Sequence, residues 1–197
     1  MNIDIFSIII ILLVIIVSYR IYCTTDLFQL KCIISNVNGE TYCVRERAQV
    51  SKAADKLANV SDNLTTIVKH CSSQYPNDKR CQRLKQGYNP KKIVETLPTS
   101  KYTAYSENKG EKLAFCLDTK KGGTKNLIDL NTLTYVGIHE LAHIASKSVG
   151  HTPEFWDNFR WLLVEAKKIG VYDPIDYKKN PQPYCGMRIT DNPYYDH

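Results

Sequence analysis

The sequence predicts an α+β fold carried behind an N-terminal transmembrane helix. Three observations point there. Residues 5–19 read IFSIIIILLVIIVSY, without a charged side chain, a composition suited to crossing a bilayer. Later stretches repeat apolar residues at three-and-four spacing, the period of a helix with one buried face. Asn38-Gly39 and Asn108-Lys109-Gly110 each separate two short β-prone runs, the signature of a hairpin. The 197 residues are 43% hydrophobic and 23% charged, enough for one globular domain plus an anchor. The expected organisation is an anchor over 1–23, a hairpin and long helical region over 24–100, and a domain over 101–197 that carries the chemistry.

The first run is apolar on every side, which excludes an amphipathic core helix. It is slightly shorter than the roughly 20 residues a bilayer needs. Ile21, Tyr22 and Cys23 extend it if Arg20 snorkels towards the headgroups. The alternative is a cleaved signal peptide. The leading MNID has no Lys or Arg, and no small-x-small cleavage site follows, which favours a retained single-pass anchor. Arg20 and Lys31 on the C-terminal flank place the rest of the chain in the cytosol by the positive-inside rule. Seven cysteines and the sequons at Asn59 and Asn63 argue for an oxidising compartment instead. Both sides of the membrane stay open.

None of the cysteines forms CxxC, so a zinc ribbon or thioredoxin-type motif is not expected. Cys23 lies at the membrane edge, to be acylated or left unpaired. Proximity pairs Cys32 with Cys43 and Cys71 with Cys81, leaving Cys116 and Cys185 as a long-range staple. The alternative is that several are free buried thiols. A net charge of +6 is spread over scattered lysines. No basic stripe with interleaved aromatics appears, so no specific nucleic-acid partner is expected.

Each later element has its own signal. Arg45 to His70 lacks Gly and Pro, and Val50, Ala53, Leu57, Val60, Leu64, Ile67 and Cys71 form a seam. It reads as one amphipathic helix packed on its own domain, with a coiled-coil dimer as the alternative. DKRCQRLKQGY forms a short helix stopped by Gly87 and Pro90. Tyr102 and Ala104, then Lys112, Ala114 and Cys116, alternate as two strands. Asp129 or Asn131 caps a helix running to about Ser148, and Gly150 is its natural stop. Thr152 caps the next, with Pro153 in its first turn. Phe155, Phe159, Leu162, Leu163, Ala166 and Ile169 make one apolar face before Gly170. The Pro- and Tyr-rich tail is expected to wrap irregularly on the domain.

The chemistry sits in HELAH, residues 139–143. Four residues apart on a helix, His139 and His143 share a face and can address one ion. Zinc accepts neutral imidazole nitrogens in tetrahedral sites, and catalytic sites leave one corner to water. Glu140, about 100° around the helix, can take a proton from that water without binding the metal. His151 follows the Gly150 turn and can fold back as third ligand, with Glu154 as the alternative. An oxyanion donor could come from Tyr135, Tyr184, Tyr194 or Tyr195. Met187 could underlie the metal or pack in the core. The hairpin around Asn108-Lys109-Gly110 could offer an edge strand to an extended peptide.

HELAH followed by GHTPEFW resembles the WLM-like and SprT-like HExxH zinc metallopeptidases. The run NFRWLLVEAKKIGVYDPIDY, with YCGM beyond it, resembles WLM-domain-like proteins of large DNA viruses. The likeness spans about Tyr102 to Met187. It implies a zincin-like, minimal metallopeptidase domain with an active-site helix and a small β-sheet. It implies one Zn2+ held by His139, His143 and His151, with Glu140 as catalytic base. The seven residues between His143 and His151 are more than the cellular pattern has, which keeps Glu154 in play. The cellular relatives act on DNA-bound proteins, which an anchor argues against here. The viral likeness implies a virion or host-membrane protein, with a peptide or protein substrate, the lipid membrane and other virion proteins as partners. It also implies viral thiol oxidases, which would let disulfides form on a cytosolic face. The expected function is therefore a membrane-anchored zinc metalloendopeptidase. The alternative is a structural virion membrane protein with a non-catalytic metal site.

Overall fold

Gly39, at φ +74°, turns the chain between β1 (Lys31–Ile34) and β2 (Thr41–Val44). The strands pair antiparallel with Cys32 opposite Cys43, and those two sulfurs are bonded. This computed structural model describes residues 4–24, 30–123 and 126–196. Before the hairpin, α1 (Ile5–Thr24) is a 20-residue helix, and its span Ile5–Cys23 buries none of its length against the rest. By length and composition it could be a membrane anchor or a signal sequence.

The long amphipathic stretch forms α2 (Val50–Gln74). Its seam residues Ala53, Leu57, Val60, Leu64, Ile67 and Cys71 are fully buried in the protein's own core. Both sequon asparagines lie inside this helix. Asn59 donates to the Asp55 carbonyl of its own helix, whereas Asn63 donates across to Thr134 Oγ1 at 3.0 Å and so serves helix packing. Asp78 caps the short α3 (Lys79–Gly87).

A strand with no sequence signal follows: β3 (Ile93–Glu95). It is only three residues long, too short to show an alternation. Yet it pairs parallel with both β2 and β5 and so joins the two hairpins. With β4 (Ala104–Glu107) and β5 (Lys112–Phe115) the sheet runs β1-β2-β3-β5-β4, leaving β4 outermost. The sheet thus draws strands from both sides of residue 100, over one continuous apolar core.

Asp129 caps α4 (Leu130–Ala145) by accepting from Thr132 N, and Thr152 caps α5 (Pro153–Lys168) by accepting from Phe155 N. Helix α4 ends three residues short of the expected Ser148, with Ser146 as C-cap. The tail is more regular than expected. β6 (Gln182–Tyr184) and β7 (Met187–Ile189) form a hairpin, and residues 193–195 form a 3-10 turn. Its two turn residues, Cys185 and Gly186, both take positive φ, 49° and 82°. That is the geometry Asn-Gly usually supplies, here taken by a cysteine whose sulfur is bonded to Cys116.

The expected Cys71–Cys81 bridge is not formed. Cys71 on α2 and Cys81 on α3 stand as buried thiols. Burial pushes Cys71 up to about 12 and Cys81 up to about 11. Both favour the thiol over the thiolate at neutral pH.

The β4–β5 turn locks onto the helices through two glycines. A Cβ on Gly110 would sit 2.6 Å from the Gly87 carbonyl oxygen and 2.6 Å from Ile144 Cδ1, at φ +106°. Gly110→Ala should therefore lower unfolding free energy by about 2 kcal/mol or more, combining left-handed strain with a backbone clash. Gly39→Ala, at φ +74° with nothing within 4 Å, should lose only about 1 kcal/mol. Denaturant titration of both variants checks the difference, and equal losses would show that the Gly87–Gly110 approach carries no constraint.

Candidate metal centre

Helix α4 is wedged in place on one side and left open on the other. On its packed side a Cβ at Gly137 would come within 2.8 Å of Leu64 of α2, so glycine permits the close approach. On the open side His139 and His143 project into a cleft of about 780 Å³. Outermost strand β4 and the tail hairpin residue Met187 also line that cleft.

The C-terminal end of α4 would leave carbonyls without partners. Lys109, in the β4–β5 turn, supplies them. Its Nζ donates to the carbonyls of His143, Ser146 and Ser148 at 3.1, 3.0 and 2.8 Å. Arg83 of α3 donates to the Ala145 carbonyl. Two cations thus meet the negative end of the helix macrodipole. Asn158 of α5 donates to Ser146 Oγ at 2.9 Å.

The next residues form the loop that returns His151. The Glu154 carboxylate accepts from Lys147 N and Ser148 N, each at 2.9 Å, and from Ser148 Oγ at 2.7 Å. Gly150 then turns at φ +85°. His151 Nε2 arrives 3.0 Å from His139 Nε2. The ligand atoms of His139, His143 and His151 all lie within 4.8 Å of one another. Nitrogens about 2.0–2.1 Å from one tetrahedral ion are about 3.3 Å apart, so the spread brackets what a cation requires and the triad could hold a metal ion. Glu154 is committed to the loop and does not join the group. As a third ligand it is corrected to a loop-holding residue.

The electrostatics fit neutral donors. Burial, followed by the neighbouring His143 and His151, pulls His139 down to about 3. Burial, then His151 and Lys109, pulls His143 down to about 4. Both imidazoles therefore keep a free lone pair at neutral pH. Phe155 forms the floor, its ring centroid 4.4 to 4.8 Å from all three imidazoles. Glu140, 4% exposed, lines the same cleft, and burial pushes its carboxyl up to about 8.

The remaining candidates sort themselves by position. Tyr184 and Tyr135 line the cleft, but their hydroxyls donate to the carbonyls of Thr103 at 3.0 Å and Asp191 at 2.9 Å. Tyr195 is not among the lining residues, and its hydroxyl donates to the Pro174 carbonyl. Tyr194, likewise outside the lining, packs against the core edge. Met187 is half exposed at the cleft wall, so Phe155 takes the place beneath the rings. Sequence reasoning missed Lys109 and Arg83, whose roles arise only when distant segments meet. A cation in a tight turn gives no local signal of what it caps.

Glu154→Ala should weaken whatever affinity the triad has for a divalent metal such as zinc roughly 10- to 100-fold through the loosened loop, with the fold retained by circular dichroism. Competition titration with a chromophoric chelator measures it, and unchanged affinity would show that the loop stands without Glu154. The hydrogen bonds from Lys147 and Ser148 hold this carboxyl down at about 2, against an ordinary 4.5. A depressed carboxylate stabilises above its unfolded value, so the grip is complete above about pH 4.5 and lost as pH falls towards 2.

No protein-family model and no solved structure matches the chain. Among curated proteins it is similar to an uncharacterized protein of Acanthamoeba polyphaga mimivirus, 36% identical over 100 residues, 51% of this chain and 50% of that protein. An uncharacterized protein of invertebrate iridescent virus 6 is 36% identical over 75 residues, 38% of this chain and 41% of that protein. One of invertebrate iridescent virus 3 is 38% identical over 71 residues, 36% of this chain and 43% of that protein. The chain spans about half the length, or less, of the curated relatives it matches, and by these alignments it is homologous to proteins of giant and iridescent DNA viruses.

Proposed function

We propose that the chain is a membrane-anchored zinc-dependent peptidase of a large DNA virus, with α1 retained in the bilayer. The observation that carries this reading is the convergence of three imidazoles beside a buried glutamate in one open cleft. Three histidines and no carboxylate favour a borderline ion such as Zn2+ over Ca2+ or Mg2+. When bound, such an ion polarises a carbonyl and lowers the pKa of a water.

The chain's own residues supply the rest. Glu140 is next in sequence to His139 but points around the helix from it, so it serves proton transfer and leaves ligation to the three rings. Its buried setting keeps a proton within reach of neutral pH, which suits a group that takes a proton from water and returns it to the leaving amine. Strand β4, outermost in its sheet and lining the cleft, offers an extended polypeptide a backbone partner beside the triad. Lys109 and Glu154 hold His151 in register. A structural zinc site would be closed by a fourth protein ligand. Here the metal-competent group among the described residues is three histidines facing a cleft, which favours catalysis over a purely structural ion.

Glu140→Gln should keep zinc at wild-type stoichiometry and lose at least roughly 100-fold in cleavage rate. His151→Ala should lose the metal. Elemental analysis of the purified full chain and mass-spectrometric screening of a broad peptide library read these separately. Wild-type cleavage by the Gln variant would remove Glu140 as base. A zinc-loaded wild type that cleaves nothing would leave a structural metal protein.

A further inference from the structure

Thr99 Oγ1 donates to the Cys23 carbonyl at 2.8 Å, so the C-terminal end of α1 is tied to the segment that runs into β4. Three loops meet at this point. Lys121 Nζ donates to the Lys101 carbonyl at 3.1 Å. The Lys121 side chain lies against Gly186, whose N–H donates to the Thr119 carbonyl at 2.8 Å. Thr103 Oγ1 reaches the Met187 sulfur at 4.0 Å. Lys101, Lys120, Lys121 and Arg188 are exposed there, around Tyr102 and Met187, themselves 67% and 51% exposed. Residues 99–103, 119–123 and 185–188 contain no acidic side chain.

This chemistry matches a bilayer surface. Lysine and arginine attract anionic headgroups within a Debye length. Tyrosine prefers the headgroup level, with its ring in and its hydroxyl wet. Cys23 closes the apolar span, which puts its carbonyl at that level. Tyr102 lies three residues from Thr99, so its Cα is at most about 11 Å away.

We infer that the Lys101–Tyr102, Lys120–Lys121 and Met187–Arg188 patch seats on the anionic surface of the bilayer that α1 enters. The inference rests on the reading of α1 as a retained anchor. Two observations select this occupant: the patch is joined to the anchor through Thr99 and Cys23, and its charge is complementary to anionic lipid. Tyr102, Met187 and Arg188 also line the cleft, so the seat opens one end of the cleft at the headgroups. The polypeptide received there is one running close to the membrane.

The test is hydrogen–deuterium exchange on the full chain in two nanodiscs, one of phosphatidylcholine alone and one also containing phosphatidylserine. Exchange over 99–103 and 185–188 should slow several-fold with phosphatidylserine. The Lys101→Glu, Lys121→Glu, Arg188→Glu variant should lose that difference while α4 exchanges as in wild type. Equal rates in the two lipids, with α1 protected in both, would overturn the seat and leave the anchor standing. Free exchange along α1 would overturn the anchor and the seat together. Slowing by a DNA duplex but not by phosphatidylserine would assign the patch to nucleic acid and also overturn the proposal.

Discussion

The candidate centre depends on holding still the seven residues between His143 and His151. Two of the three imidazoles come from a rigid helix and need no help to share a face. The third comes from a loop. Such a loop would ordinarily be mobile, and an imidazole displaced by an ångström no longer shares an ion. Opposite charges fix this one from its two sides. The Lys109 ammonium gathers three carbonyls, and the Glu154 carboxylate gathers two backbone N–H groups and a hydroxyl. Charge-assisted hydrogen bonds of this kind are about twice as strong as neutral ones. Burial lowers the Lys109 pKa while Glu154 raises it, and Arg83 helps to hold the Glu154 carboxyl down.

That arrangement draws on the whole fold. Lys109 reaches the helix end because its turn is pressed onto α3 and Ile144 through Gly87 and Gly110. The turn belongs to β4 and β5, and β5 is held by β3. Behind β3 lies a buried ionic network. Arg47 binds both Glu95 and Asp118, while Arg45 donates to Thr96 and Leu97. Such networks contribute little net stability, since desolvation offsets attraction. Here Arg45 Nη1 and Asp118 Oδ1 find no hydrogen-bond partner. Its value is positional: Asp118 also accepts Cys185 N–H through its carbonyl at 2.9 Å, next to the Cys116–Cys185 bond. The tail wall of the cleft is thereby registered against the sheet.

What could be read from the sequence follows from how local each signal is. Asp129, Thr152, Gly150 and the three histidines act within a few residues of themselves, so their spacing revealed both helices and the triad. The two Asn-Gly-type hairpins were legible for the same reason. Strand β3 was not, because its reason for existing is the pair of neighbours on either side of Val94. The tail hairpin was hidden because Cys185 takes a left-handed conformation usually given to Asn or Gly. Cys71 and Cys81 are ten apart in sequence, yet they stand as thiols. Sequence separation describes the length of the loop closed and carries no information about whether two sulfurs bond.

Glu140 shows why the parts belong to one device. Burial favours the neutral forms of the His139 and His143 imidazoles and pushes the Glu140 carboxyl up to about 8. Burying a bare carboxylate beside neutral rings would be expensive. A nearby positive ion inverts that balance, because local charge dominates the pKa at metal sites. A cation held by the triad would favour the ionised carboxylate, the form in which Glu140 would serve as base under the proposed function. The burial that favours neutral groups here is also what would couple the charge of Glu140 to that of a cation under the proposed function. A solvent-exposed glutamate at this position would be ionised in both states and would gain nothing from the metal. The motif therefore needs its apolar surroundings, Ile138, Leu141 and Phe155 among them, as much as it needs its ligands.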